Sequence, residues 1–209
     1  MRVFSIKTLV FIAVLLNTPL SWANEIGASR QYQAALLISH SSILTQLAEK
    51  KELVASLKKA EHNESSLQGI ILKDLSWETS PDFQHEITHN DVAKMFKGLI
   101  DNKQYSFSEF MLTDSFGALL ASYPITSDYW QGDESKFIMA VKNKSIYISG
   151  PNWDESSKTY SFFVSLPVIQ QGKLLGVLVA GLDVSSEYMM DMSLQQLLDL
   201  KSQNLNIDN

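Results

Sequence analysis

The amino-acid sequence predicts an α+β fold in which a long N-terminal helix packs with an antiparallel sheet of roughly five strands. Two observations support this prediction. Apolar residues recur with helical spacing between residues 28 and 61, and from residue 105 onward short apolar runs alternate with turn residues. Helices followed by hairpin-connected strands are typical of an α+β domain rather than of alternating α/β units.

The first 23 residues have the pattern of a secretory signal peptide. The basic residues Arg2 and Lys7 precede an apolar run over residues 9–16, and the small residues Ser21 and Ala23 form a peptidase site. A run of eight apolar residues is far shorter than the roughly 20 that span a bilayer, so a permanent anchor is the less favoured alternative. We therefore expect cleavage after Ala23 and a periplasmic location.

The composition narrows the classes of function. Hydrophobic residues make up 45% of the chain and charged residues 19%, as in an ordinary folded domain. Taking the signal peptide's two basic residues from the chain's 17 leaves 15 Lys and Arg against 23 Asp and Glu, and this net charge of −8 would repel nucleic acid. The chain has no cysteine, which excludes thiolate chemistry and a lipoprotein anchor. No glycine-rich phosphate loop appears, and we expect no cofactor.

The segment over residues 28–61 is predicted to be helical because an apolar stripe runs through it without Pro or Gly. The stripe consists of Leu36, Ile43, Leu47, Val54 and Leu57, with Leu37 and Leu44 beside it. One helix of this length would measure about 50 Å and could form a homodimer contact, while two helices joined without a turn signal are the alternative. Residues 69–82 are predicted to be irregular, and a second helix is expected to begin at Thr88 or Asn90, both good caps.

The remaining elements follow in order. Strands are predicted over residues 105–113, 118–123, 145–149, 160–169 and 174–183, with a short helix within residues 126–142. Turns are expected at residues 114–117 and 170–173, and Ser185 is expected to cap a final helix. The predicted organisation is a signal peptide (1–23), the long helix and its connection (24–87), one core domain ending in a helix (88–201) and a polar tail (202–209).

Three passages between residues 88 and 188 stand in a distinctive order. The first is a strand running into Asp114-Ser115-Phe116-Gly117, the second is Asp128-Tyr129-Trp130-Gln131-Gly132-Asp133-Glu134, and the third joins residues 164–168 to residues 172–177 and 181–183. In this order and spacing they resemble the Cache family of PAS-like extracytoplasmic sensor domains, over about half of the chain. The resemblance implies a curved antiparallel sheet with a pocket on one face, roofed by the segment after the second strand. It also implies a small ligand, which could be an amino acid, an amine or a small carboxylate.

The resemblance further implies that Tyr129 and Trp130 of the roof and Asp183 at the end of the last strand contact the ligand. The residues themselves favour a cationic ligand, because aromatic rings and carboxylates alternate between residues 123 and 154. A solvated acidic loop above packed rings is the alternative. The predicted ligand-binding residues are Tyr123, Asp128, Tyr129, Trp130, Asp133, Tyr147, Trp153, Ser165 and Asp183.

Two departures from the family pattern matter. The roof segment has no arginine, so Lys136, Lys142 or backbone amides would have to hold a carboxylate. No apolar run long enough to span a membrane follows Ser185. We therefore expect the module to report to a membrane-bound partner, namely a kinase, a chemoreceptor or a cyclase. A ligand-independent interaction protein is a further alternative.

One motif indicates a different class. The run His85-Glu86-Ile87-Thr88-His89 matches H-E-x-x-H, in which two histidines on one helical face bind zinc while the glutamate acts as a base. The sequence context argues against a running helix, since Pro81 lies four residues before the motif. No histidine follows the motif, so the third ligand would have to be a carboxylate such as Glu109. A zinc-dependent hydrolase is therefore the alternative, and a protein that is not an enzyme is the prediction.

Overall fold

The computed structural model describes residues 38, 40–62, 66–102, 104–149, 152–154 and 159–183. The elements below all belong to one compact unit, His40–Asp191. The predicted final helix and the signal peptide lie outside the described residues. Within the described residues, no helix has the length and apolar character needed to cross a membrane.

Helices precede and interrupt a single antiparallel sheet. The helices are α1 (residues 40–48), α2 (Lys51–His62), α3 (Leu67–Leu75), α4 (Pro81–His89), α5 (Asp91–Asp101) and α6 (Ser135–Asn143), with a 3₁₀ turn at Trp77–Thr79. The strands are β1 (Phe107–Asp114), β2 (Leu119–Tyr123), β3 (Tyr147–Ile148), β4 (Asn152–Asp154), β5 (Thr159–Gln170) and β6 (Lys173–Asp183). Their order is β2-β1-β6-β5-β3, and β4 also pairs with β5. The predicted α+β class and all five predicted strands are confirmed, and β4 is an additional strand.

The described part of the predicted N-terminal helix is two helices, which is the alternative left open above. Leu47 of α1 and Leu53 of α2 are both buried, with exposed fractions of 1% and 0%. Six residues on a straight helix turn through 600°, so these side chains would point about 120° apart. The interruption at residues 49–50 allows both leucines to be buried. Because burial of the two leucines favours this break, no helix-breaking Gly or Pro is needed at residues 49–50.

The prediction that residues 69–82 are irregular is wrong. The hydroxyl of Ser66 caps α3 by accepting a hydrogen bond from the N–H of Gly69 at 3.1 Å. Pro81 occupies the first turn of α4, where its missing N–H costs nothing and its fixed φ suits a helix. Asn90 then caps α5 through the N–H of Ala93 at 3.0 Å, which confirms one of the two predicted caps.

The strand register divides the sheet into two faces. On the helix face, Phe110 of β1 stacks on Phe96 of α5, with ring centroids 5.1 Å apart, and α2 also packs against β1 and β6. On the lid face, Met111 and Val179 are paired across β1 and β6 and belong to a buried apolar cluster. Trp77, α3, α4 and α6 contribute the covering side chains of that cluster. The lid is defined here as residues 124–143, which follow β2 and end with α6.

Candidate functional site

The β1–β2 turn positions one end of the site. Oδ1 of Asp114 accepts hydrogen bonds from the backbone N–H groups of Phe116 and Ala118 at 2.8 and 2.9 Å. Burial raises the pKa of the Asp114 carboxyl, and these backbone hydrogen bonds act in the opposite direction. Gly117 has a φ of 88°, and a Cβ at this position would collide with the backbone of Gly132. The predicted Asp-x-x-Gly turn is confirmed, and its glycine lets the lid approach the sheet.

Asp74 of α3 fastens the lid from the other side. Its Oδ1 accepts hydrogen bonds from the N–H groups of Tyr129 and Trp130 at 2.9 and 2.8 Å. The carbonyl of Tyr129 accepts one from the N–H of Leu119 at 3.1 Å, and the indole N–H of Trp130 donates to the carbonyl of Phe116 at 2.8 Å. The lid is therefore held to α3, to β2 and to the β1–β2 turn.

This fastening points the Tyr129 ring into the interior. Tyr129 is 6% exposed, and its ring centroid lies 5.8 Å from that of Trp77 and 4.9 Å from that of Phe83. Burial is the largest cause that raises the pKa of Tyr129 to about 12, and the charges of Asp114 and Glu86 act in the same direction. The phenol therefore stays neutral at physiological pH.

The other predicted site residues divide between the sheet faces and the surface. Tyr147 lies opposite Ser165 on the lid face, and Asp183 pairs with Ser161 farther along the same face. Tyr123 pairs with Phe110 and thus lies on the helix face, where Nζ of Lys97 is 5.3 Å from its ring centroid.

The remaining predicted residues are Asp128, Asp133 and Trp153. Asp128 and Asp133 are exposed on the lid. Trp153 stands on β4, and its side chain lies outside the described residues. Some of the nine predicted residues have described positions on the lid face or in the lid. They are Tyr129, Trp130, Tyr147, Ser165 and Asp183.

One transverse row of the lid face contains two isolated hydroxyls. Successive register pairs join Ser122, Met111, Val179, Ser165 and Tyr147 across all five strands of the main order. Both serines are 0% exposed, and neither hydroxyl has a hydrogen-bond partner among the described residues. A buried polar group in this state costs about 1–3 kcal/mol. Such groups in a folded protein call for an explanation, and a polar ligand is one.

The adjacent row contains one carboxylate, and a lysine of the lid lies over the same row. Phe163, Gly181 and Glu109 are register partners there, and the Glu109 side chain is 1% exposed. Lys136 of α6 reaches the same row from the lid, with Nζ 4.9 Å from the Phe163 ring centroid and 3.2 Å from Oε2 of Glu134. The Lys136 side chain is only 12% exposed. A cation thus lies over the ring of Phe163, and a buried carboxylate lies two strands away in the same row.

Sequence reasoning included neither Glu109, Lys136 nor Asp74 in the site. Glu109 had a usable signal, because it is the only charged residue within the predicted strand at residues 105–113. Lys136 was considered only as a substitute for an arginine. Asp74 had no signal, because its partners are 55 and 56 residues away in the chain.

The H-E-x-x-H run lies on a helix, contrary to the sequence argument about Pro81. Its two histidines, His85 and His89, are exposed on α4 with ring centroids 3.8 Å apart. Among the described residues, no group of three or more His, Cys, Asp or Glu side chains is placed to hold a metal ion. The buried Glu109 does not join the pair, so the catalytic zinc site considered above lacks a third protein ligand in this part of the chain.

Comparisons with known proteins give structural neighbours only. No protein-family model matches the sequence, and no curated protein matches it. The ligand-binding domain of the Campylobacter jejuni chemoreceptor Tlp3, solved with 4-methylisoleucine, is 16% identical with a TM-score of 0.38, covering 88% of this chain and 66% of that one. The extracellular domain of a histidine kinase is 22% identical with a TM-score of 0.40, covering 80% and 63%. The ligand-binding domain of the Pseudomonas aeruginosa amino-acid chemoreceptor PctC, solved with GABA, is 16% identical with a TM-score of 0.36, covering 59% and 56%.

These neighbours are sensory domains of chemoreceptors and of a histidine kinase. The chain spans between 56% and 66% of the length of these three domains.

Proposed function

We propose that this chain is a periplasmic module that binds a small ligand between the lid and the sheet and reports its presence to a membrane-bound signalling protein. The signal peptide would direct its export and would then be removed by cleavage after Ala23. The partner would be a kinase, a chemoreceptor or a cyclase, and the module would bind its ligand without transforming it. The ligand would be recognised by the lid-face residues described above, with Tyr129 and Trp130 in the roof.

The observation that supports this proposal is a cation over a buried ring of the lid face and a buried carboxylate two strands away on the same face. Nζ of Lys136 stands over Phe163, whereas Glu109 lies two strands away in the same row. Neighbouring strands are about 4.8 Å apart, so the Cα atoms of Phe163 and Glu109 are separated by about 10 Å. A small ligand with an amino group and a carboxylate matches these two charges. Lys136 supplies the cation that the missing roof arginine would otherwise provide.

The isolated hydroxyl of Ser165 supports the same location. It lies in the row next to Phe163, on the same face and strand. A ligand polar group that hydrogen-bonds to Ser165 would remove the cost of an unsatisfied buried hydroxyl, whereas an apolar ligand would leave that cost in place. Asp183 lies one row beyond Glu109 and adds a second carboxylate at the acidic end. We propose that the amino group of the ligand faces this acidic end.

A thermal-shift and calorimetric screen of the full mature chain tests the proposal. The screen contains amino acids, diamines and small dicarboxylates. A ligand at 100 times its Kd stabilises the folded state by about 2.7 kcal/mol. We expect amino acids to bind and simple dicarboxylates to bind weakly. Binding of dicarboxylates alone would contradict the proposed orientation of charges.

Two lysine variants locate the site. Lys136→Met removes a cation above Phe163 on the lid face, whereas Lys97→Met removes a cation 5.3 Å from the ring of Tyr123 on the helix face. We expect at least a tenfold loss of affinity in Lys136→Met and no change in Lys97→Met. Equal effects of the two variants would place the ligand elsewhere. Co-purification from membranes with and without the bound amino acid then tests for the signalling partner.

A further inference from the structure

The histidine pair on α4 is not used by the proposed ligand site. His85 and His89 are four residues apart on one exposed face of this helix. Their rings are stacked with centroids 3.8 Å apart and an interplanar angle of 24°. Histidines at this spacing can place both imidazoles on one metal ion.

Thr88 fixes the protonation pattern of one ring. Its hydroxyl donates a hydrogen bond to the carbonyl of Gln84 at 2.7 Å, and it has only one hydrogen to donate. The 2.8 Å contact between Thr88 Oγ1 and His89 Nδ1 therefore requires Nδ1–H to be the donor. The lone pair of this imidazole is then on Nε2. A hydrogen bond to the second ring nitrogen is the usual way in which proteins orient a metal-binding histidine.

The helix that carries the pair is anchored to the sheet at its C-terminal end. Pro81 starts α4, and the Nδ2 group of Asn90 contacts the carbonyls of Glu86 and Ile87, each at 3.1 Å. The same amide group donates to the carbonyl of Leu120 in β2 at 2.9 Å. Ligands on a regular, anchored helix are held more firmly than ligands on a loop.

An open groove of about 430 Å³ lies beside the pair. Gln84, Thr88 and both histidines line one side of the groove, and residues 123–125 line the other. This space leaves room for water or an incoming group to complete the coordination of a metal ion, as in sites that retain an open position.

We propose that His85 and His89 form a two-histidine site for a divalent first-row transition-metal ion, with water or a group in the groove as the remaining ligands. Imidazole nitrogens suit Cu²⁺, Ni²⁺ and Zn²⁺, whereas Mg²⁺ and Ca²⁺ prefer oxygen ligands. Affinity follows the order in which Cu²⁺ binds most tightly and Ni²⁺ binds more weakly. Because the described residues supply two ligands and no third, the bound ion is exchangeable and open to a further ligand. This site is independent of the proposed lid-face ligand.

Calorimetric titration of the full mature chain with Cu²⁺, Ni²⁺, Zn²⁺ and Mg²⁺ tests the site. We expect one Cu²⁺ per chain, weaker Ni²⁺ and Zn²⁺ binding and no Mg²⁺ binding. His85→Asn and His89→Asn should each reduce Cu²⁺ affinity at least tenfold. His62→Asn, which removes a histidine outside the motif, should leave the affinity unchanged. The electron paramagnetic resonance spectrum of bound Cu²⁺ should show imidazole nitrogens that are lost in the double His85→Asn, His89→Asn variant.

The Thr88→Val variant tests whether the hydrogen bond between Thr88 and His89 orients the His89 ring for metal binding. Valine preserves the branched shape of the side chain but removes the oxygen that orients His89. Loss of such an orienting partner typically weakens metal binding by about 10- to 100-fold. Cu²⁺ binding that persists in the double histidine variant would overturn the proposal. Zinc-dependent peptide hydrolysis that is abolished by Glu86→Gln would assign the pair to catalysis and would overturn a site that only binds.

Discussion

The two faces of the sheet use the same strands for different purposes. On the helix face, the rings of Phe107 and Phe110 have centroids 4.5 Å apart, and the buried imidazole of His40 accepts a hydrogen bond from the N–H of Ser106 at 3.1 Å. On the lid face, the hydroxyls of Ser122 and Ser165 are buried without partners. In the described part of the chain, the isolated buried hydroxyls therefore lie on the lid face and not on the helix face.

This difference indicates how one sheet can supply both a core and a binding surface. Successive residues of a strand point to opposite faces, so each face can be varied independently. Met111 and Leu112 are adjacent in β1, yet Met111 belongs to the lid-face cluster and Leu112 pairs with Leu178 on the helix face. Residues that favour binding commonly reduce stability, and under the proposed function the isolated hydroxyls of the lid face are such a cost. The following predictions test the division, beginning with the largest expected effect.

Phe110→Ala should be severely destabilising. Phe110 is 0% exposed and stacks on Phe96, so the substitution removes packing and leaves a cavity. Phenylalanine-to-alanine changes in a core cost about 3–5 kcal/mol. The free energy of unfolding is measured by urea denaturation, with Phe116→Ala as the control because Phe116 is 53% exposed. We expect the control to change stability by less than about 0.5 kcal/mol. A loss below about 1 kcal/mol in Phe110→Ala would contradict the tight packing of Phe110 against α5.

The sequence predicted the sheet well because its signals are local. Alternating apolar runs identified the five strands, and Asp114 with Gly117 identified the first turn. The helices before the sheet were less predictable. The break between α1 and α2 depends on tertiary burial of Leu47 and Leu53, and the cap formed by Ser66 was not recognised.

The site was predictable only in part. The alternation of aromatic and acidic residues predicted a binding segment at the lid, but it did not indicate which rings point inward. Tyr129 does so because Asp74 holds its backbone N–H, a contact between distant parts of the chain. Lys136 reaches Phe163 because α6 lies over the sheet, which no local pattern in the sequence indicates.

Tyr129 gives the lid face a distinctive dependence on high pH. Its pKa is about 12 in the folded state against 10.0 ordinarily, since burial disfavours the charged phenolate. A raised pKa stabilises the folded state fully below pH 10, and this contribution is lost as the pH rises through 12. This change in pKa corresponds to about 2–3 kcal/mol in the free energy of unfolding.

Tyr129→Phe should remove this dependence. Urea denaturation between pH 8 and pH 12, at about equal ionic strength, measures the free energy of unfolding of both proteins. The difference between the two values removes the effect of lysines and of the other tyrosines, which titrate in both proteins. We expect the native protein to lose about 2–3 kcal/mol relative to Tyr129→Phe across this interval. Stability curves that stay parallel would show that the ring is not buried under the lid.

Ser165→Ala and Ser161→Ala provide the smallest and most specific test. Both serines lie on β5, face the lid and are 0% exposed. Ser161 shares a hydrogen bond with Ser108 at 2.7 Å between the two hydroxyl oxygens, whereas the Ser165 hydroxyl has no partner. Ser161→Ala should therefore lower the free energy of unfolding by about 1 kcal/mol, and Ser165→Ala should leave it unchanged or raise it by up to about 1 kcal/mol.

Ligand affinity should change in the opposite sense. If the isolated hydroxyl serves a ligand, Ser165→Ala weakens binding by roughly tenfold, the equivalent of a hydrogen bond of about 1.4 kcal/mol. Calorimetry with an amino acid found in the screen measures this change. A Ser165→Ala variant that is destabilised yet binds normally would place Ser165 in the core and would remove the distinction between the two faces at this position. A variant that is as stable as the native chain and binds more weakly would identify the hydroxyl as one that contributes to binding at the expense of stability.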